Sequence, residues 1–228
     1  MKNTVYLIIH GFGGNTDEIQ YLADYLVSKQ LNVHTPLLAG HGSDKKALSR
    51  SSYKDWILSI ENTLENLDNE YSEIICIGFS MGGLIGFNSL AHPKITRIIT
   101  INTPIHFWNL KVIISDIFSG IFHKNYDKIK YYKDSLFGSS VKSGIDFLKI
   151  LYKTKKYVGA VKKPILIIQC KNDESVRYKS AYYIKDKFGD YADLRLYNGG
   201  CHQIFKKSPE LRDLICKDIY LYENSFHK

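Results

Sequence analysis

The sequence predicts an α/β fold with a mostly parallel sheet, because short apolar runs alternate with segments of helical periodicity along most of the chain. Val5 to Ile9 is a continuous β-branched run, which is typical of a strand buried on both faces. Similar runs follow it, and we expect a doubly wound sheet of about six strands with right-handed crossovers. A chain of 228 residues is long enough for one such domain with a substantial core.

The same two periodicities predict the individual elements. The predicted strands are 5–9, 32–35, 73–77, 95–102, 165–170 and 194–197. The predicted helices follow Asn15 or Thr16, follow Ser52, follow the third strand as far as about 91, and cover 179–188 and 209–221. Asn15 or Thr16 favours the first of these helix starts and Ser52 the second, because these side chains can accept hydrogen bonds from free backbone N–H groups.

The alternation stops within residues 104–160, which we interpret as an insertion. Leu110 to Phe122 has apolar residues at three- and four-residue steps, and this spacing indicates an amphipathic helix. No strand pattern is found in the rest of the segment. We therefore expect a core formed by 1–103 and 161–228, with 104–160 as a mainly helical cap over the C-terminal edge of the sheet.

The net charge of +8 is concentrated in the same part of the chain. Between His106 and Lys163, twelve lysines stand against four aspartates, so this segment carries the whole excess. A solvated surface is the plain interpretation, and attraction to anionic membrane surfaces or acidic substrates is the alternative. Nucleic acid is not an expected partner, because no helix-turn-helix, RNP or zinc-finger pattern accompanies the lysines.

The sequence favours a cytoplasmic protein without metal. No run approaches the roughly 20 apolar residues that span a bilayer, and Val5–Ile9 is too short for the core of a signal peptide. The four cysteines have no C-x-x-C spacing, so neither a disulfide framework nor a zinc cluster is indicated. Cys201 precedes His202, but adjacency in sequence does not make a catalytic Cys–His pair.

The segment Gly78-Phe79-Ser80-Met81-Gly82 has the G-x-S-x-G pattern of a nucleophile elbow. Such a serine lies on a strained turn, and glycines flank it because side chains there would collide. The pattern alone is weak, since about one chain in ten of this length would carry it by accident. A strand pattern before it and a helical pattern after it lower that chance, so Ser80 is a candidate nucleophile.

A serine hydroxyl needs a base, and with this elbow an acid and then a histidine follow the serine along the chain. Among the histidines after Ser80, His202 alone lies in a loop between the last strand and the last helix, at the same sheet edge. Asp173 follows strand 165–170 at that edge, and Glu174 is its competitor. The carboxylate would hold the imidazole tautomer and stabilise the imidazolium.

Two backbone N–H groups are candidates for an oxyanion hole. One belongs to Met81, the residue after the nucleophile, and the other to Phe12 in the glycine-rich loop after the first strand. A phosphate cradle is the alternative for this loop. It is disfavoured because the loop lacks both the G-x-G-x-x-G spacing and the Walker lysine.

These motifs together resemble those of α/β-hydrolases, and more narrowly of small bacterial carboxylesterases and monoacylglycerol lipases. The residues that carry the resemblance are His10-Gly11-Phe12-Gly13-Gly14, Gly40-His41-Gly42, Gly78 to Gly83, Asp173 and Cys201-His202. The resemblance covers almost all of the chain and is weakest across the cap. It implies ester hydrolysis through an acyl-enzyme, without metal or cofactor, and an acyl-chain pocket under the cap. One departure is that loop 171–176 lacks the family's usual glycine before the acid.

We expect a small-molecule ester substrate, with uncharged medium-chain acyl esters and monoacylglycerols as the favoured class. The alternatives on the same triad are thioester or peptide hydrolysis and acyl transfer. An aminopeptidase would need carboxylates in the cap to hold an ammonium group, and the lysine-rich segment contains four aspartates and no glutamate. A receptor that kept the fold without turnover is less favoured, because such proteins usually have a damaged triad.

Overall fold

Six strands form one parallel sheet in the computed structural model, which describes residues 3–106 and 140–226. The strands are β1 Thr4–Ile9, β2 Asn32–His34, β3 Glu73–Phe79, β4 Ile95–Ile101, β5 Ile165–Cys170 and β6 Ala192–Tyr197. Their order is β2-β1-β3-β4-β5-β6, and every neighbouring pair is parallel. The predicted doubly wound parallel sheet is therefore confirmed.

Helices cover both faces of the sheet. They are α1 Gln20–Ser28, α2 Lys45–Arg50, α3 Tyr53–Leu67, α4 Met81–Ser89, α5 Val141–Thr154, α6 Lys179–Phe188, α7 Ile204–Lys207 and α8 Pro209–Asn224. One apolar cluster includes Trp56, Phe87 and Phe147 and joins α3, α4, α5 and α6 to one face. The other cluster includes Leu22 and Ile219 and joins α1 and α8 to the opposite face. Because both faces are covered, the central strands are buried on both sides, as their continuous apolar runs predicted.

Two local features differ from the sequence prediction. The helix expected after Asn15 is divided into a 3-10 turn, Thr16–Glu18, and α1, although Asn15 Oδ1 does accept a hydrogen bond from Asp17 N at 3.0 Å. Helix α2 was not predicted, because it is short and Leu48 is its one buried residue. Its start is stabilised by Asp44, whose Oδ1 accepts from Ala47 N at 2.7 Å.

The predicted cap is described only in part. The amphipathic segment Leu110–Phe122 lies outside the described residues. Helix α5 lies within the expected cap segment but packs on the core, since Phe147, Ile150 and Leu151 are buried with α3 and α4. The division into core and cap stays a prediction. In the two described ranges, no helix has both the length and the apolar character needed to cross a bilayer.

The sheet order determines where a site can form. The chain passes from β1 outward to β2 and then crosses back, so that β3 lies on the other side of β1. At such a switch point the two following loops diverge and leave a crevice at the carboxyl ends of the strands. The loop after β1 contains Phe12, and the turn after β3 contains Ser80.

Candidate active site

Ser80 occupies a strained turn between β3 and α4. Its backbone has φ 52° and ψ −119°. Residues other than glycine rarely adopt this conformation, which costs about 1–3 kcal/mol. The turn is held by Ser80 N, which donates to Ile101 O on the neighbouring strand at 2.8 Å. Only 7% of Ser80 is exposed. The strand–turn–helix context expected for a nucleophile elbow is present.

Three glycines around Ser80 permit close backbone contacts. A Cβ atom on Gly78 would lie 2.3 Å from Gly83 N, and one on Gly82 would lie 2.1 Å from Ile9 O. A Cβ on Gly83 would lie 2.0 Å from the Thr103 hydroxyl oxygen. A residue larger than glycine at these positions would push α4 away from β1 and β3. The sequence pattern around Ser80 therefore has a steric cause.

The structure brings Ser80, His202 and Asp173 into one hydrogen-bonded row. His202 Nε2 lies 3.0 Å from Ser80 Oγ, and His202 Nδ1 lies 2.8 Å from Asp173 Oδ2. The Asp173 side chain is fully buried, and the His202 side chain is 14% exposed. Because the carboxylate is an acceptor, Nδ1 carries the imidazole proton, and the Nε2 lone pair faces the serine hydroxyl.

The second oxygen of Asp173 is held by the backbone of its own loop. Asp173 Oδ1 accepts hydrogen bonds from Ser175 N and Val176 N, both at 2.7 Å. No residue between Cys170 and Val176 has a positive φ. The loop therefore folds around Asp173 without the glycine that the resemblance led us to expect before the acid.

Glu174, the competing acid, contacts the histidine loop in a different way. Its Oε2 accepts from the backbone N–H of His202 at 3.0 Å and makes no hydrogen bond to the imidazole. Of the two acids considered from sequence, Asp173 is the one at the ring. Glu174 instead helps to hold the loop that carries the ring.

The two candidate oxyanion donors flank the serine. Met81 is the first residue of α4, where a backbone N–H has no partner inside the helix and carries part of the positive end of the helix dipole. In the described part of the chain, no hydrogen-bond partner is found for Phe12 N. A Cβ on Gly11 would lie 3.4 Å from Ser80 Cβ, so the loop with Phe12 passes directly beside the serine.

Two buried histidines, to which sequence reasoning assigned no role of their own, support this loop. His10 Nδ1 donates to Gly11 O at 2.9 Å, and its Nε2 accepts from Leu38 N at 3.2 Å. Burial lowers the pKa of His10, and it lowers the pKa of His41 to about 4. Both rings are therefore neutral at pH 7 and serve as fixed hydrogen-bonding and packing groups rather than as bases.

Asn102 is a further residue that sequence reasoning did not single out. It is fully buried at the end of β4 and has φ 48°. Its Oδ1 accepts from Cys170 N at 2.9 Å, and its Nδ2 lies 3.3 Å from His202 O. Asn is among the few side chains that tolerate this backbone region, and this one links β5 to the histidine loop.

The cysteines show no sign of a competing nucleophile. Burial raises the pKa of Cys76, Cys170 and Cys216 to about 12, so these thiols stay protonated. Cys201 Sγ lies 3.5 Å from Ser208 Oγ, and the neighbouring imidazole is bonded to Ser80 instead. Among residues 3–106 and 140–226, no group of three or more His, Cys, Asp or Glu side chains is arranged to hold a metal ion.

The parallel sheet with helices on both faces is that of an α/β-hydrolase, and comparison with known proteins agrees. Residues 2–209 match the family model Hydrolase_4, described as serine aminopeptidase, S33. The chain belongs to this family. The predicted resemblance is therefore confirmed, and the chain is an esterase-like hydrolase of the α/β-hydrolase superfamily.

Individual relatives and one solved structure show what the chain is similar to. It is 25% identical over 224 residues to a carboxylesterase of Bacillus subtilis (strain 168), covering 94% of this chain and 89% of that protein. It is 31% identical to the thermostable monoacylglycerol lipase of Bacillus sp. (strain H-257) over 100 residues, 43% of this chain and 40% of that one. A solved structure from work on LipS and LipT, two metagenome-derived lipolytic enzymes, has a TM-score of 0.81 at 18% identity, covering 98% and 94% of the two chains. That structure shares the fold.

Proposed function

We propose that this protein hydrolyses carboxylic esters through an acyl-enzyme formed on Ser80. The observation that carries the proposal is the row of contacts from Ser80 Oγ to His202 Nε2 at 3.0 Å and from His202 Nδ1 to Asp173 Oδ2 at 2.8 Å. A serine within hydrogen-bond reach of a base, which is itself oriented by a third group, is the arrangement that nucleophilic catalysis requires.

In the proposed reaction, Ser80 Oγ attacks the ester carbonyl carbon while its proton passes to His202 Nε2. The N–H groups of Phe12 and Met81 donate to the resulting oxyanion, and each such donor typically contributes about 10² to 10³ in rate. The ester C–O bond then breaks, and the imidazolium returns the proton to the leaving alcohol. Water repeats the sequence on the acyl-enzyme and releases the carboxylic acid, while Asp173 stabilises the imidazolium in both halves.

The relatives support the ester substrate class. A relative that covers most of the chain is named a carboxylesterase, and another is named a monoacylglycerol lipase. The family description names a serine aminopeptidase, so peptide hydrolysis is the second candidate. An aminopeptidase needs a carboxylate free to bind the substrate ammonium. Among the described residues, the carboxylates nearest the site are Asp173, Glu174 and Glu18, and each already accepts hydrogen bonds from the loops around the site.

We further propose that the enzyme prefers uncharged medium-chain acyl esters, with monoacylglycerols as substrates. Aromatic side chains lie beside the proposed oxyanion hole, since the ring of Phe12 is 5.0 Å from that of Phe147 on α5 and 5.7 Å from that of Trp56. Each buried methylene gains about 0.8 kcal/mol, which corresponds to about fourfold in kcat/KM until the pocket is full. Rates that are highest for acetyl esters and fall steadily with chain length would contradict this preference.

The deciding experiment compares wild type with Ser80→Ala on p-nitrophenyl esters from acetate to decanoate. We expect the variant to lose about 10³ or more in kcat, since the remaining groups cannot form an acyl-enzyme. Ser89→Ala is the matched control. Like Ser80, Ser89 is a buried serine; it lies on α4, and its hydroxyl only donates to Ile85 O at 3.2 Å. Equal rates for wild type and Ser80→Ala would end the proposal.

Two further assays separate the alternatives. Covalent labelling by a fluorophosphonate should occur at Ser80 in wild type and in Ser89→Ala but not in Ser80→Ala; a folded protein that never labels would favour a receptor without turnover. Parallel assays with acyl thioesters and aminoacyl p-nitroanilides test the other reactions. Faster turnover of the anilides than of any ester would favour the aminopeptidase.

A cytoplasmic location and transient contact with anionic membrane surfaces stay predictions. In the described part of the lysine-rich segment, Asp146 forms ion pairs with Lys142 at 3.4 Å and with Lys149 at 3.2 Å, so these two charges are partly neutralised. The remaining excess should still favour vesicles that contain anionic lipid over neutral ones. Sedimentation with vesicles at low and high salt tests this, because salt screens such an attraction.

A further inference from the structure

Glu18 is a buried carboxylate beside the candidate active site that the proposed reaction does not use. It ends the short 3-10 turn after the glycine-rich loop and is 8% exposed. Its Oε2 accepts from Gly11 N at 3.0 Å, and its Oε1 accepts from the side-chain amide of Gln203 at 2.8 Å. Within the described ranges, no Lys or Arg lies at ion-pair distance from it.

The carboxylate lies inside the curve of the glycine-rich loop. A Cβ atom on Gly14 would come within 2.2 to 2.5 Å of the carboxylate atoms of Glu18, and one on Gly11 would lie 3.0 Å from Oε2. Gly11 is also the residue whose Cβ would lie 3.4 Å from Ser80 Cβ. Gly11 is therefore close to both the carboxylate and the serine, and the glycine-rich loop has little room to move toward Glu18.

The two partners of Glu18 are adjacent to two proposed catalytic groups. Gly11 precedes Phe12, whose N–H is a proposed oxyanion donor, and Gln203 follows His202. One carboxylate thus joins the loop that carries the donor to the loop that carries the base, although Glu18 and Gln203 are 185 residues apart in the chain. A buried charge is costly unless it is well hydrogen-bonded, and here both of its oxygens are bonded to these two loops.

We propose that Glu18 is a positioning residue. It keeps the Phe12 N–H and the His202 imidazole in the relative positions that stabilise the tetrahedral intermediate. The inference rests on the proposed function of Ser80, Phe12 and His202. Donors stabilise an oxyanion only when they lie at hydrogen-bond distance from the place where the charge develops, and small misplacements lower the rate strongly. If the two loops are no longer held together, the free energy of the transition state should therefore rise more than that of the bound substrate.

The test compares Glu18→Ala with Glu18→Gln. Glu18→Ala removes both hydrogen bonds, and we expect kcat to fall about 10- to 100-fold with KM changed less than about threefold. Glu18→Gln keeps the shape and one acceptor for Gly11 N, and its amide can donate to Gln203 after that side chain turns its oxygen inward. We expect Glu18→Gln to retain activity within about threefold of wild type, because both links are preserved.

Two readouts separate positioning from a loss of stability. The rate at which a fluorophosphonate labels Ser80 should fall in parallel with kcat, and a trifluoromethyl ketone, which forms a tetrahedral adduct with the serine, should bind more weakly. Asp55→Ala is the matched control, since Asp55 also accepts two hydrogen bonds, from Ser52 N and Ser52 Oγ at 2.8 Å, at the start of α3. It should lower the unfolding temperature without slowing the labelling rate per folded molecule.

Gln203→Leu provides a variant that leaves Glu18 and its bond to Gly11 in place. We expect a smaller loss in kcat than for Glu18→Ala, in the same direction. Unchanged labelling and turnover in Glu18→Ala would overturn the inference, and so would a Glu18→Gln variant as slow as Glu18→Ala. If wild type labels but hydrolyses none of the esters, the proposed substrate class fails, and the ratio of labelling rates still decides the role of Glu18.

Discussion

The two ends of the parallel sheet both bury carboxylates, but the groups that they contact differ. At the carboxyl end, Asp173 contacts the imidazole of His202 at 2.8 Å. At the amino end, Arg97 Nε lies 3.1 Å from Glu223 Oε2, and Arg97 Nη1 lies 3.5 Å from Glu73 Oε1. A guanidinium keeps its charge at every physiological pH, whereas an imidazole can accept and return a proton. The Asp173–His202 pair can therefore take part in proton transfer, whereas the ion pairs of Arg97 can only hold strands and helices together.

A shifted pKa therefore does not by itself mark the functional end of this molecule. Burial raises the pKa of Glu223 from its ordinary 4.5 to about 7, and the charge of Arg97 opposes this shift. Carboxyl groups with shifted pKa values are often catalytic, but burial in a structural ion pair also shifts the pKa of a carboxyl group. Glu223 lies on α8, at the end of the sheet opposite Ser80, and its hydrogen-bonding partner is Arg97. The nature of the partner distinguishes the two ends better than the size of the shift.

The largest effect that would test this comparison is expected for Asp173→Asn. The Asn oxygen would keep the hydrogen bonds from Ser175 N and Val176 N, so its amide N–H would face His202 Nδ1. The imidazole would then have to carry its proton on Nε2, where it cannot accept from Ser80. We expect kcat to fall about 10³- to 10⁴-fold with little change in unfolding temperature. Steady-state kinetics and calorimetry measure the two effects.

Glu223→Gln is the control at the other end of the sheet and should leave kcat unchanged. If it slows turnover as much as Asp173→Asn does, the two ends are not functionally separate. If Asp173→Asn keeps wild-type activity, the proposed role of the carboxylate is wrong.

A second, stability-based effect is expected for Gly82→Ala at the start of α4. The added Cβ would lie 2.1 Å from Ile9 O, a backbone atom of a central strand that cannot turn aside. We expect the free energy of unfolding to fall by about 3 kcal/mol, at the upper end for overpacking. Gly86→Ala in the same helix meets mainly side-chain atoms, at 3.1 Å, and should cost about 1 kcal/mol or less. Urea unfolding of both variants measures the difference, and equal losses would refute the steric explanation of the elbow.

The last effect concerns the pH dependence of stability at the amino end of the sheet. Because the pKa of Glu223 is higher in the folded protein, the folded state binds the proton more tightly, and this contribution to stability is lost as pH rises from about 4.5 through about 7. Glutamine does not titrate. The stability of Glu223→Gln relative to wild type should therefore increase with pH, by up to about 3 kcal/mol between pH 4 and pH 8.

Urea unfolding of both proteins across this range measures the change. Asp55→Asn is expected to show the opposite trend, because hydrogen bonds from Ser52 hold the pKa of that carboxyl below its usual value. A difference between Glu223→Gln and wild type that does not vary with pH would mean that the pKa of Glu223 is the same in the folded and the unfolded protein.

Much of the fold and the candidate triad could be predicted because each depends on a local pattern. The strands are continuous apolar runs, and the elbow is a five-residue pattern set by close backbone contacts at Gly78 and Gly82. Chain order and the shared sheet edge then pointed to Asp173 and His202, which the structure brings to Ser80. These inferences need only periodicity and topology, both of which can be read from one sequence.

The residues that sequence reasoning missed act through long-range contacts. Glu18 bonds to Gln203, and Asn102 bonds to the loop that carries His202, about one hundred residues further along the chain. Neither contact leaves a periodic signal near either partner. Helix α2 was missed for a different reason, because six residues with one buried side chain are too few to show a period.

The order of strands along the chain also has a consequence for biosynthesis. Strands β1 to β4 and Ser80 are translated first, whereas β6 comes after all the other strands and His202 lies 122 residues after the serine. A nascent chain can therefore pair its central strands and form the elbow while it still lacks its proposed base. Under the proposed mechanism, premature release anywhere before residue 202 would leave a serine without its base. Esterase activity would then arise only once the ribosome has delivered the final strand of the sheet.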